Sequence, residues 1–397
     1  MDACPETPYS PPEDRYDLHE KVRDSQIALV KLILSYNIKL DAQDTCGNTA
    51  LHSIASDTDI SIVRMLVNRG ANLEVLNEQE ESPMFRIVRR GNYEAAKYLI
   101  AKGAKINITG KNYGAPFHAA CRVGSFEMVK LLHSNGADIN AVAPGWDGSP
   151  LQAAYQRDED KVKDDIVAYL LEDSKIAVNV SSSWWGSALH LACLFSSSDA
   201  VEKLLKREEI IATIEDYIGR TPMHFALYRS MEHIKLLHDH GVDFEGKDSM
   251  GRNVLHFAVT AGRLDVVELV LSETTDLFLG EDIHGWTPLM WSLRVCSRWG
   301  TKSSSRLQIV KKLMEAGAKR LVLGKGVDRT WTPLKLAKFY DLPQPIVDAI
   351  MPTEEEVKEA GDTMSDWTSG RGKRGELQEK GYCAACLLVS YPFSISL

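Results

Sequence analysis

Nine times along this chain the same short phrase returns. It opens at Thr49, Ser82, Ala115, Ser149, Ser187, Thr221, Asn253, Thr287 and Thr332, at intervals of 33, 33, 34, 38, 34, 32, 34 and 45 residues. A small polar residue or Ala is followed by Pro, Ala or Val, then by an apolar residue. The fourth place is His in five copies: His52, His118, His190, His224 and His256. Length alone, at 397 residues, would predict two or three domains. A period of this kind predicts something else, because a unit of about 33 residues cannot bury its apolar face alone and must stack on its neighbours.

A second pattern travels with the first. About ten residues after each phrase comes an apolar stretch at helical spacing, usually closed by Gly-Ala. Ile62-Val63-Arg64-Met65-Leu66 precedes Gly70-Ala71, and Met128-Val129-Lys130-Leu131-Leu132 precedes Gly136-Ala137. Thr or Ser can cap a first helix, and Pro fits its first turn, where a missing N–H costs nothing. Gly at the end of a second helix supplies the left-handed cap. Small residues such as Ala119, Ala120, Ala153, Ala154, Ala192, Ala226 and Ala258 let helices approach closely.

These phrases together resemble the ankyrin repeat over roughly residues 25–350. The resemblance implies an all-α solenoid of helix–turn–helix units with β-turn fingers, acting as a non-catalytic scaffold that binds another protein. The expected organisation is a Pro-rich disordered lead over 1–16, a repeat domain over 17–351 with a helical N-terminal cap near Ile27–Leu40, and a polar linker and tail over 352–397. Three departures stand out: added length around Asn179–Trp185, an insertion at Cys296–Arg306, and a longer finger at Lys319–Trp331. The last copy is the most degraded, with Lys335 in the His place and a final helix expected near Ile346–Met351.

Five histidines at one repeat position invite a metal or acid–base array. One repeat separates each from the next by roughly 10 Å, the spacing of packed helices, too far for shared ligation at about 2 Å. The resemblance implies a structural role instead, a hydrogen bond to the turn backbone and the Thr/Ser hydroxyl. No G-x-S-x-G elbow, H-E-x-x-H, Walker-type loop or G-x-G-x-x-G helix opening is present, so no enzyme and no cofactor are expected. Cys121 and Cys193 sit among small residues and read as inert core thiols.

The residues seven and eight places beyond each phrase's start fall on the inner helix. They include Arg89, Arg90, Arg122, Arg157, Arg229 and Arg294, with Leu194 and Phe195 in the fifth copy. The chain carries a net charge of −9, so an arginine stripe on the concave face would be segregated charge that draws an acidic protein partner. The bland alternative is that solvated arginines are common on helix surfaces. Aromatic residues gather at the expected finger tips: Tyr113, Trp146, Trp184, Trp185, Tyr217, Trp286 and Trp331. Exposed aromatics beside arginines have the composition of binding hot spots; the alternative is that they pack tip against tip. Trp146, Arg157 and Trp184 are expected to form one contact patch.

Arg371-Gly372-Lys373-Arg374 is a weak basic cluster, and Cys383 and Cys386 form a lone C-x-x-C, half of a zinc site. That tail resembles the start of a zinc-finger module. It supports an alternative in which the array is the substrate-recognition arm of a signalling or ubiquitin-transfer assembly. Seven unevenly placed cysteines argue against a disulfide scaffold. No basic segment leads into an apolar stretch at the start, and no run reaches the ~18 apolar residues of a membrane span. The net acidity argues against nucleic acid. A monomeric protein of the cytoplasm or nucleus, with no small-molecule substrate, is the expectation.

Overall fold

A computed structural model of the chain describes residues 16–36, 38–111, 113–143, 148–156, 160–182, 185–294, 303–325 and 330–359. The chain divides into two compact units, 1–210 and 211–397.

In the first unit the helices come in pairs. They are α1 (Tyr16–Arg23) with α2 (Ile27–Ser35), a 3₁₀ turn (Ala50–Ser53) with α3 (Ile60–Asn68), α4 (Pro83–Arg90) with α5 (Tyr93–Ala101), α6 (Pro116–Val123) with α7 (Phe126–Ser134), α8 (Pro150–Tyr155) with α9 (Asp160–Glu172), and α10 (Ala188–Phe195) with α11 (Ser198–Leu205). First helices pack on first helices (α4 on α6, α6 on α8, α8 on α10). Second helices pack on second helices (α3 on α5, α5 on α7, α7 on α9, α9 on α11). The second unit repeats the scheme with α12 (Pro222–Ala226), α13 (Met231–Asp239), α14 (Val254–Ala261), α15 (Leu264–Glu273), α16 (Pro288–Ser292), α17 (Ser303–Glu315), α18 (Pro333–Phe339) and α19 (Gln344–Ile350).

The phrase residues do the capping that their chemistry allows. Ser82 Oγ accepts the Phe85 N–H at 3.2 Å, and Thr332 Oγ1 accepts that of Lys335 at 3.1 Å. Pro opens α4, α6, α8, α12, α16 and α18. The cores are apolar side chains from both helices of each pair, with Ile62, Val63, Leu66, Ala95, Leu99, Met128 and Leu132 fully buried in the first unit. Short polar side chains then bolt one repeat to the next. Asn107 Oδ1 accepts the Asp138 N–H at 3.0 Å while its amide donates to the Gly136 carbonyl at 3.1 Å, and Asn140 does the same to Ala177 and Lys175.

Several neighbouring fingers join by one backbone hydrogen bond each. Glu78 N–H donates to Cys46 O (3.1 Å) and Lys111 to Gln79 (3.1 Å); in the second unit Ser249 donates to Ile218 (2.7 Å), Ile283 to Met250 (2.8 Å) and Lys325 to His284 (2.6 Å). The two lengthened fingers fold as two-residue hairpins, β1 (Ser181–Ser182) with β2 (Gly186–Ser187), and β3 (Gly324–Lys325) with β4 (Thr330–Trp331).

Both margins of the array differ from expectation. The helix expected over Ile27–Leu40 ends at Ser35, and it has a first-helix partner after all in α1. His19 of α1 stands 33 residues before His52, and its Nε2 donates to the Asn48 carbonyl at 3.0 Å, so Tyr16–His19 is a further copy of the phrase without Thr or Pro. At the other margin the linker expected from 352 begins with a short helix, α20 (Glu354–Glu359), capped reciprocally by Thr353 and Glu356 and anchored by buried Val357 and an Arg320–Glu356 ion pair at 2.8 Å. Residues 1–15, most of the Cys296–Arg306 insertion and the tail with Cys383 and Cys386 lie outside the described residues.

Candidate protein-binding site

In the first, second, sixth, seventh and eighth copies the finger is built on one carboxylate or amide five residues before the phrase. Asp216 Oδ1 accepts the N–H groups of Ile218 (3.0 Å) and Arg220 (2.8 Å), and Asp44, Asn77, Asp248 and Asp282 make the same pair of bonds. The second oxygen of Asp216 takes Arg220 Nε at 2.7 Å with both side chains buried, and Asp248 takes Arg252 likewise. In the eighth copy Trp286 stands where the arginine was, and Asp282 Oδ2 instead accepts Trp291 Nε1 at 3.0 Å.

In the five copies that carry it, the phrase histidine lies behind the tip. Nδ1 accepts the N–H of the phrase's first residue in all five: Thr49–His52 (3.0 Å), Ala115–His118 (3.1 Å), Ser187–His190 (2.9 Å), Thr221–His224 (3.0 Å) and Asn253–His256 (3.1 Å). A backbone N–H can only donate, so Nδ1 is unprotonated and the proton sits on Nε2. From there His52 donates to Glu81 O (3.0 Å) and His256 to Trp286 O (2.9 Å), while His118 reaches Ala141 O (3.0 Å) and Gly148 O (3.2 Å). Burial holds the neutral form: it pushes His52 and His256 down to about 4, and His118 below its ordinary value. The rings of His52, His118 and His256 thus use both nitrogens, one inside their own repeat and one to bolt it to the next. Gln152 makes the same two contacts, Oε1 accepting Ser149 N–H at 2.7 Å and Nε2 donating to the Gly186 carbonyl.

The inner-helix arginines divide into three groups. Arg90 donates from Nη1 to the carbonyls of His52 and Ile54, both at 2.8 Å, and burial lowers it to about 10; it closes the 3₁₀ turn and offers little to a partner. Arg89 is held by buried Glu81 at 3.2 Å and lies 5.8 Å from the Tyr113 ring, on whose ring Arg122 also sits at 5.3 Å; Tyr113 stacks on Phe85. Arg294 sits over Trp291 (4.6 Å) and Trp286 (5.5 Å). These three are half-buried, with guanidinium faces against aromatic rings. Arg229, in the turn between α12 and α13, is exposed, and the same repeat's finger shows Tyr217 at 49% exposure.

The tip tryptophans require a correction. Trp185 and Trp286 are 3% and 5% exposed, so they are not the exposed tip aromatics the sequence led us to expect. Trp185 packs edge-on to half-buried Phe195 at 5.8 Å, and Trp286 Nε1 donates to the Lys325 carbonyl at 3.1 Å. Trp331 is also buried, against Phe339. Trp146, Arg157 and Trp184 lie outside the described residues, as do Cys383 and Cys386. Among the described residues no group of three or more His, Cys, Asp or Glu is placed to hold a metal, and no helix is long and apolar enough to cross a membrane. Burial pushes the Cys121 and Cys193 thiols up, away from the reactive thiolate.

A family model described as ankyrin repeats, three copies long, matches residues 18–110, 117–216, 189–280 and 235–323. The ankyrin repeat domain-containing protein SAT10 of Stachybotrys chartarum is 29% identical over 243 residues, a stretch that takes in 59% of this chain and 12% of that protein. An ankyrin repeat protein of Rickettsia bellii is 29% identical over 143 residues, 35% of this chain and 71% of its own length.

Proposed function

The chain belongs to the ankyrin repeat family, whose members are general protein–protein interaction modules, and from that premise we propose that it is a non-catalytic intracellular scaffold for an acidic protein partner. The partner lies against first-helix ends and finger tips. One observation carries this reading: the sixth repeat sets an exposed arginine, Arg229, and a half-exposed tip aromatic, Tyr217, in the same unit, while His52 and His256 are consumed in holding repeats together. Arginine and tyrosine are the residues that most often carry interface energy. In the first unit Arg122 on the Tyr113 ring offers a similar pairing.

Affinity capture with mass spectrometry, run in parallel on the wild-type chain and on Arg229→Glu, tests it. Reproducible partners rich in Asp and Glu, depleted from the variant, are expected. Equal recovery on both baits, or nothing reproducible on either, counts against the reading.

A further inference from the structure

Arg86 and Arg89 of α4 share one carboxylate. Glu81, 1% exposed, accepts Arg86 Nη1 on Oε2 at 3.1 Å and Arg89 Nη1 on Oε1 at 3.2 Å, and Asn77 Nδ2 donates to Oε2 at 3.2 Å. One negative charge thus faces two positive ones, and both of its oxygens are taken. Each arginine gives only Nη1 to it. Among the described residues the Nε and Nη2 groups of both meet no acceptor, and none of these nitrogens is sealed from solvent. Arg90, the next residue, is spent on the carbonyls of His52 and Ile54 and takes no part.

The third copy adds a further cation at the same place. Tyr113 stacks on Phe85 of α4, and its ring lies 5.8 Å from the Arg89 guanidinium and 5.3 Å from that of Arg122. Cation–π contact with one ring holds both groups. Arg86, Arg89 and Arg122 are all half-buried. Fixed by a buried carboxylate and an aromatic face, they have already given up much of the side-chain freedom that binding an anion would otherwise cost.

We propose that this cluster is a receptor for a phosphorylated side chain on the protein partner, an inference that rests on the acidic-partner reading above and sharpens its chemistry. An Asp or Glu carboxylate offers two oxygens in one plane, which a single guanidinium fork satisfies. Two open guanidinium edges with a third cation beside them match a different group. A phosphomonoester carries roughly two negative charges and three acceptor oxygens near neutrality, enough to engage more than one arginine at once. Arginine clusters recognise phosphorylated segments through that match.

Two degenerate peptide libraries test this, one with a fixed central phosphoserine and its twin with serine, passed over the immobilised full chain and quantified by mass spectrometry. The phosphoserine library should be retained at least about tenfold over its twin. Arg89→Gln should reduce that preference while Glu81 stays paired through Arg86 and Asn77. Arg122→Gln, which leaves the Glu81 bonds untouched, should reduce it as well, and circular dichroism checks that each variant is folded. A preference that survives both substitutions in folded chains overturns the proposal. Equal retention of the two libraries on the wild type overturns it too, and leaves the acidic-partner reading to be decided by the Arg229→Glu capture.

Discussion

The imidazole of His52 hydrogen-bonds at 3.0 Å to the carbonyl of Glu81, twenty-nine residues on and in the next repeat's finger. The bond recurs at His256 with Trp286 and, at the N-terminal margin, at His19 with Asn48. In each case the acceptor is the residue immediately before the next phrase. One side chain thus fixes its own helix start and the register of its neighbour.

Because Gln152 makes both of these contacts, His256→Gln should be tolerated far better than His256→Ala. The alanine variant strands the Asn253 N–H and the Trp286 carbonyl and removes a ring packed on Trp291. It should cost roughly 3 kcal/mol, and the glutamine variant less than about half of that, in urea unfolding followed by fluorescence. Equal losses would contradict the account.

Stability should fall as the solution is acidified from neutrality. His52 and His256 titrate near 4 when folded and near 6.5 when unfolded. Between those values the unfolded chain binds more protons, so the contribution is complete above about 6.5 and is lost toward about 4. Each imidazole should remove about 2 kcal/mol by about pH 5. Urea midpoints at about pH 7.5 and 5 measure it, and the double variant His52→Gln/His256→Gln should flatten the dependence.

Glu80 occupies a finger position where the first, sixth, seventh and eighth copies have Gly47, Gly219, Gly251 and Gly285, all at positive φ. Its own φ is 58°, so Glu80→Gly should stabilise the first unit by roughly 1 kcal/mol. Gly47→Ala should destabilise it, since a Cβ there would lie 2.8 Å from the Glu78 nitrogen as well as at a φ of 75°. Thermal unfolding of the two variants checks the pair of signs.

Arg220 neutralises a carboxylate that has no solvent contact, Asp216. Arg220→Met should therefore cost about 3–5 kcal/mol by stranding that charge, and adding Asp216→Asn should recover much of the loss. A double-mutant cycle in denaturant measures the recovery; additive losses would show that the pair is not coupled.

The fold was legible because its chief signal is repeated in register. Thr, Ser and Pro at a helix start and an apolar run ten residues on state the same local structure nine times over. The copy at Tyr16–His19 escaped notice because it keeps only Leu18-His19 of the phrase. The contact residues were less legible, for a physical reason that the structure makes plain. The place just before the phrase looks like a tip in sequence, yet its side chain turns inward, and at Glu81 and Trp286 its carbonyl serves the previous histidine. Glu81, Arg220, Arg252, Trp286 and Trp331 are all buried there. Offsets along a helix also cannot tell Arg90, spent on two backbone carbonyls, from Arg229, which is exposed.

In the proposed function, exposed Arg229 in the turn after α12 holds the acidic partner. The most direct test of that contact is the affinity of one captured partner for the wild-type chain, Arg229→Glu and Arg90→Gln, by calorimetry at low and high salt. Arg229→Glu should weaken binding at least about tenfold and reduce the salt dependence, while Arg90→Gln lowers stability and leaves affinity unchanged. Unaltered affinity in Arg229→Glu, with the partner still bound to a folded chain, would contradict it.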